Sequence, residues 1–303
     1  MRRWKKLLVD TAASWNEHNA ATQSAALAFY TIFSLAPVLI VVIALVGAVF
    51  GRDAVRGQIN SEFQSWMGKD AAAFVLVVLK SANKPDSSKL VRIIGIATLL
   101  FGATGVFVQL QESLNIIWGV KPRPGAAFTR LFRKRMLSFA IILGMGFLLV
   151  VSLVLSAGLH ALGSFLEARL AIPVALLHFA DILISFGLVT LLFALIYRLL
   201  PDVELHWHDV VQGAVVTSLL FAIGKALIGL YLGRTGIASA YGAAGSLVML
   251  LSWVYYSALI FLFGAEFTRI RSYGRDTLPQ PEPGAARREE PAPLDKQTQR
   301  RSE

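Results

Sequence analysis

The chain has 303 residues, 55% of them apolar and only 16% charged, and its 29 Lys and Arg against 19 Asp and Glu give it a net charge of +10. A soluble domain carries about a quarter charged residues, and the apolar residues here gather in runs longer than the roughly 20 residues of ordinary helices, so a soluble enzyme is excluded as a class. With no cysteine there is no disulfide, no thiolate nucleophile and no Cys-based metal site.

Met1-Arg-Arg-Trp-Lys-Lys is followed by only three apolar residues before Asp10, too few for the apolar region of a cleavable signal. Trp4, Leu7, Leu8, Thr11 and Trp15 share one helical face with Arg and Lys alongside. Residues 1–24 therefore read as an interfacial amphipathic helix on the cytoplasmic side, or as an ordinary helix beside the membrane.

Six stretches then reach the length a spanning helix needs: Ala25 to Phe50, Val91 to Trp118, Met136 to Leu162, Val174 to Leu200, Val210 to Leu232 and Ala243 to Thr268. The predicted fold is an all-α, polytopic membrane bundle of six transmembrane helices occupying residues 25–268. The basic loop 119–135 holds Lys121, Arg123, Arg130, Arg133, Lys134 and Arg135 without an acid, which places it in the cytoplasm. The basic N-terminus and Arg269, Arg271 and Arg275 fall on the same side, giving an N-in, C-in topology. The outer loop 51–90 is less cleanly charged, and its Ile59, Phe63, Trp66 and Met67 at helical spacing, followed by the apolar run Ala71 to Leu79, predict two short helices. From 269 to 303 the composition turns to Pro, Glu, Arg and Gln, which predicts a disordered cytoplasmic tail.

Several stretches resemble the YihY/virulence factor BrkB family of bacterial inner-membrane proteins, once called ribonuclease BN. They are Ala25-Ala-Leu-Ala-Phe-Tyr-Thr-Ile-Phe-Ser-Leu-Ala-Pro37, Phe101 to Trp118, Tyr241-Gly-Ala-Ala-Gly-Ser, Trp253-Val-Tyr-Tyr and Gly264-Ala-Glu-Phe-Thr-Arg269. The resemblance implies six helices in the inner membrane and a role in envelope maintenance or transport, and it brings no catalytic residue with it. The old nuclease name finds little support. Hydrolytic metal sites need clustered His and carboxylate ligands, and in Leu205-His-Trp-His-Asp209 the spacing fails. Asp209 reads instead as an N-cap of the fifth span. No cofactor, no metal and no nucleic-acid partner is expected.

Ionisable side chains within spans are costly and mark candidate function. Lys225 lies about 22 Å into the fifth span and Asp181 about 10 Å from the outer face in the fourth, so their depths nearly coincide. They pair, with His178 and Ser185 on the face of Asp181, or Lys225 snorkels to the headgroups and Asp181 is satisfied by Ser185 or water. Ser152, Ser156 and His160 add a stripe on the third span that either packs helices or lines a vestibule. At the inner end of the second span Gln109, Gln111, Glu112 and Asn115 cluster, with Glu112 placed to pair with Arg133 or Arg135. Glu266 reads as interfacial. Pro37 removes one backbone hydrogen bond from the first span and predicts a kink or an unwound point, and the Gly-rich stretch 233–245 around Tyr241 predicts a hinge or a tight turn. These features favour a transporter or amphiphile-handling protein that recruits anionic lipid headgroups on the cytoplasmic side. The competing expectation is a scaffold whose outer loop helices dock an envelope protein.

Overall fold

The computed structural model describes residues 2–81, 105–122, 144, 174–234, 241, 244–273, 280–282 and 285–288. The predicted third span, the first half of the second and most of the 119–135 loop lie outside these residues, as do Ser152, Ser156 and His160. Helix dominates: α1 (Arg2–Glu17), α2 (Ala20–Phe50), α3 (Arg52–Ser81), α4 (105–117), α5 (Val174–Leu199), α6 (Trp207–Arg234) and α7 (Gly245–Tyr273). Two short strands, β1 (Val120–Pro122) and β2 (Ala285–Arg287), pair antiparallel with Lys121 opposite Ala286.

The sequence sets the breaks between elements. Asn19 adopts a left-handed conformation at φ 51°, which asparagine tolerates better than most residues, and this single residue turns the chain from α1 into α2. Gly51 at φ 87° receives the end of α2, its N–H bonding to the Gly47 carbonyl at 3.1 Å, a positive φ that glycine adopts without the Cβ penalty other residues meet. Gly68 at φ 83° breaks α3 internally, separating two helical pieces. Gly119 at φ 64° ends α4, and Pro201, which cannot donate to the ladder, follows the end of α5. By contrast α2 runs unbroken from Ala20 to Phe50. The unwound point expected at Pro37 is absent, because one missing donor leaves the bonds on either side intact.

Among the described residues, three helices are long and apolar enough to cross a membrane: Ile182–Leu199 within α5, Trp207–Ile228 within α6 and Gly245–Ser272 within α7. α6 presents Val211, Val215, Leu219, Ile223 and Leu227 outward at every fourth position, all exposed, a row that lipid would cover and water would not tolerate at this length.

α5, α6 and α7 pack on one another through aromatic rings, with Phe193 5.8 Å from Phe221 and 6.0 Å from Phe261, and Phe221 6.0 Å from Trp253. Hydroxyls and glycines bring α6 and α7 closer still. Thr217 Oγ1 donates to the Gly213 carbonyl and Thr268 Oγ1 to the Gly264 carbonyl, both at 2.8 Å. Each threonine lies against the other helix's glycine: a Cβ added at Gly213 would sit 1.7 Å from Thr268 Oγ1, and one at Gly264 would sit 1.8 Å from Thr217 Oγ1. The two Gly-x-x-x-Thr segments thus face each other in antiparallel register, the small-residue contact that membrane helices use in place of a hydrophobic driving force. Tyr197 of α5 completes the contact, its hydroxyl donating to the Phe261 carbonyl at 2.7 Å and meeting Thr217 Oγ1 at 2.9 Å. α3 packs against α2, α6 and α7, and α1 against α2 and α7.

Parts of the tail predicted to be disordered are structured among the described residues. Residues 269–273 continue α7, and 285–287 form β2. Before β2, Val203 and Pro281 form a bridge, and the Glu282 and Glu204 N–H groups bond to the carbonyls of Asp202 and Gln280, both at 3.0 Å. Backbone pairing orders these positions, and it needs no apolar side chains.

Candidate functional site

One end of the bundle collects most of the described polar side chains. The antiparallel contact between α6 and α7 brings the start of α6 beside the end of α7, and α1, the end of α4, the 200–206 turn, β1 and β2 join them there.

The centre of this end is Glu266. It lies 21 residues into the apolar stretch of α7, about 32 Å along it, and its side chain has 0% exposure. Ser14 Oγ of α1 donates to Glu266 Oε2 at 2.9 Å, and His18 Nδ1 meets Oε1 at 2.5 Å. Arg269 Nε lies 3.4 Å from Oε2, while Arg269 Nη2 donates to Ser14 Oγ at 2.8 Å. Near the end of its span, Glu266 is covered by α1, which folds over it and excludes water. A buried carboxylate is tolerable only when paired and hydrogen-bonded in this way. The order of groups also decides the chemistry. A nucleophilic serine needs the imidazole between itself and the carboxylate, whereas here the carboxylate stands between Ser14 and His18, so Ser14 has no base.

α1 contributes through one face. Leu7, Thr11, Ser14 and His18 turn inward, Thr11 Oγ1 donating to the Leu7 carbonyl at 2.7 Å. Trp4 and Leu8, expected on that same face, are 56% and 47% exposed, since they sit at its edge.

A second polar group ties α4 to the turn between α5 and α6. Asn115 Nδ2 donates to Asp202 Oδ2 at 2.9 Å and the Asp202 N–H donates back to Asn115 Oδ1 at 2.9 Å, with Gln111 Nε2 donating to Asp202 Oδ1 at 3.2 Å. Asn115 and Asp202 are both buried. We predict that Asn115→Ala, which takes one donor from a buried carboxylate and the acceptor from a backbone N–H, lowers stability by about 1–3 kcal/mol and lowers the melting temperature in detergent, with Asn115→Asp at least as harmful because it sets two carboxylates together. Arg198 caps the same turn, its guanidinium donating to the Leu205 carbonyl at 2.5 Å and lying 4.5 Å from the Trp207 ring.

The remaining predicted residues distribute as follows. Glu112 is half exposed and pairs with Arg288 at 2.7 Å, a partner 176 residues away that follows β2; Arg133 and Arg135, its expected partners, lie outside the described residues. Gln109 Nε2 donates to Ser113 Oγ at 3.4 Å within α4. Lys225 is half-buried on α6 and Ser185 is exposed on α5, while the side chains of His178, Asp181 and Pro37 and all of His160 lie outside the described residues, and with them the proposed Asp181–Lys225 pair. Tyr241 is exposed in a turn whose carbonyl accepts from the Ala244 N–H at 3.1 Å. α6 begins at Trp207, so Asp209 stands inside its first turn and the His206 carbonyl begins the ladder. Asp209 is thus not the N-cap, although an acid at that place still suits the helix dipole. His208 turns to Gln212 at 2.9 Å, and among the described residues no three metal-binding side chains gather. Ser14, His18 and Asp202 went unnoticed in the sequence. The four-residue spacing of Ser14 and His18 on the buried face of α1 was the available signal.

Long apolar helices packed through small residues, with a polar cluster at one end, define a helical membrane protein. The chain belongs to the virulence factor BrkB family, whose model matches residues 11–289. A relative in Tolumonas auensis, described as a UPF0761 membrane protein, is 30% identical over 250 residues, covering 80% of this chain and 77% of its own length. Another so described, in Alteromonas mediterranea, is 29% identical and covered to 83% on both sides. A relative in Chromobacterium violaceum is 27% identical over 82% of this chain, which spans only 58% of that longer protein. None of these descriptions carries a catalytic activity. No solved structure matches the chain.

Proposed function

We propose that this is a non-enzymatic, six-span protein of the bacterial inner membrane, with both ends cytoplasmic, that moves or handles a solute or amphiphile in maintaining the envelope. The observation that carries the reading is Glu266, a fully buried carboxylate near the end of a membrane-crossing helix, held by side chains of a separate helix. Intramembrane ionisable groups of this kind are costly and accompany transport paths and coupling sites. The topology is supported by Lys5, Lys6, Lys121, Arg271, Arg287 and Arg288 at the same end of the bundle, the side that basic residues favour. The packing of α3 against α2, α6 and α7 suits a part of the bundle better than a free docking arm.

The test is a flux measurement in vesicles reconstituted with the purified full chain, using a fluorescent phospholipid bleached by an impermeant reductant and, separately, a panel of trapped solutes. Flux above that of empty vesicles, reduced at least tenfold by Glu266→Gln and reduced by Lys225→Gln in protein of unchanged melting temperature, is expected. Folded protein that leaves both lipid and solutes at the empty-vesicle rate would return the scaffold reading.

A further inference from the structure

We propose that the outer edge of α1, together with Arg271 at the end of α7, is a binding site for the headgroup of an anionic phospholipid. The proposal deepens the function above and rests on α5 to α7 crossing a membrane.

Four observations meet at this edge. First, the inward face of α1 is fixed to α7 by the Ser14 and His18 contacts with Glu266, so α1 is held where that span leaves the hydrocarbon. Second, the row beside the fixed face is apolar and uncovered: Trp4, Leu8 and Ala12 follow at four-residue spacing and are all exposed, and Val9, in the next row, is 66% exposed. An apolar row at the end of a membrane span has acyl chains and glycerol backbones as its natural cover. Third, cations flank that row. Lys5 and Lys6 are exposed, and the Arg271 guanidinium lies 5.7 Å from the Trp4 ring. An indole at the headgroup level with a guanidinium against it sets Arg271 on the same edge as Lys5, the residue after Trp4, two cations to which a phosphate is complementary. Fourth, among the described residues the nearby acids are engaged away from Lys5 and Arg271: Glu266 is enclosed and already bonded, and Asp10, five residues beyond Lys5, has the four-residue helical spacing that suits Lys6 instead. The ligand class is a phospholipid with net negative charge, since the apolar row recognises its chains and the cations its headgroup.

Because the natural chain has no cysteine, Leu8→Cys in the full chain carries a single environment-sensitive fluorophore onto the edge. The labelled protein, in neutral detergent micelles, is titrated with phosphatidylglycerol, with phosphatidylcholine and with inorganic phosphate. A saturable blue shift with phosphatidylglycerol is expected, at least tenfold weaker with phosphatidylcholine and absent with phosphate. Lys5→Gln and Arg271→Gln should each weaken it by about fivefold. Arg271→Lys should restore most of the response, and Lys121→Gln, on β1, should leave it unchanged. Equal response to both lipids, a response to free phosphate, or indifference to Lys5→Gln and Arg271→Gln would overturn the site. Carbonate-resistant retention of the chain in membranes, measured alongside, reports the spans separately: its loss would strike the membrane reading, whereas loss of the lipid response alone strikes only the site.

Discussion

Replacing Gly264 with leucine is expected to leave no folded protein, the largest single effect in the described part of the bundle. A Cβ at this position would lie 1.8 Å from Thr217 Oγ1, 2.6 Å from the Tyr197 hydroxyl and 2.9 Å from Thr217 Cβ. All three atoms belong to buried side chains, two of them fixed by hydrogen bonds to backbone carbonyls. Neither neighbour has a free rotamer to retreat into, so α7 must move away from α5 and α6 and surrender the Phe261, Phe193 and Phe221 ring contacts. Overpacking in a dense interior costs about 1–3 kcal/mol for a modest insertion, and a whole leucine side chain exceeds that range. Gly264→Ala is the graded form, with a loss of about 2–3 kcal/mol; adding Thr217→Ala should recover part of it by removing Oγ1, but not all, because the tyrosine hydroxyl remains. Gly187→Ala in α5 is the control: nothing lies within 4 Å of its added Cβ, and alanine favours helix over glycine by about 1 kcal/mol. Thermal unfolding in detergent followed by size-exclusion chromatography checks the series. Equal melting temperatures for Gly264→Ala and Gly187→Ala would show that α6 and α7 do not touch through these glycines.

How far this contact could be read in advance shows what sequence does and does not encode. The apolar runs of α5, α6 and α7 are legible because lipid demands about 20 apolar residues whatever the tertiary partner. Gly51 and Pro201 mark ends through their own backbone chemistry. The facing of Gly213 with Thr268, however, depends on how two helices cross and joins residues far apart in the sequence, and either segment alone looks like an ordinary apolar stretch. Polar pairing is hard to read for the same reason. Asn115 and Glu112 stand out in the sequence as polar groups at the end of α4, but their partners Asp202 and Arg288 come from elements 87 and 176 residues away, and no local pattern points to them. β2 escaped because a three-residue strand paired through its backbone leaves no apolar pattern to detect.

Glu266 joins these two themes, since its burial is created by α1 and its composition by α7. Truncation to alanine removes the acceptor of Ser14 and His18 and takes the carboxylate away from the Arg269 guanidinium. Breaking a buried charged group out of its set costs about 3–5 kcal/mol, and here the loss has a direction: α1 is held to α7 largely by side chains that end at this carboxylate. Glu266→Ala should therefore release α1 before it unfolds the spans, and Lys5 and Lys6 should become rapid trypsin sites in otherwise intact protein. Glu266→Gln keeps an acceptor for Ser14 and a similar volume, so it should release α1 less. Ser14→Ala, which leaves His18 and Arg269 in place, should release it least. The effects of Glu266→Gln and His18→Ala should fall short of additive when combined, because each removes the same contact. If trypsin cuts at Lys5 and Lys6 equally fast in all of these variants and in the unchanged chain, α1 is not held by Glu266, and the carboxylate's burial would have to be credited to α2 and α7 alone.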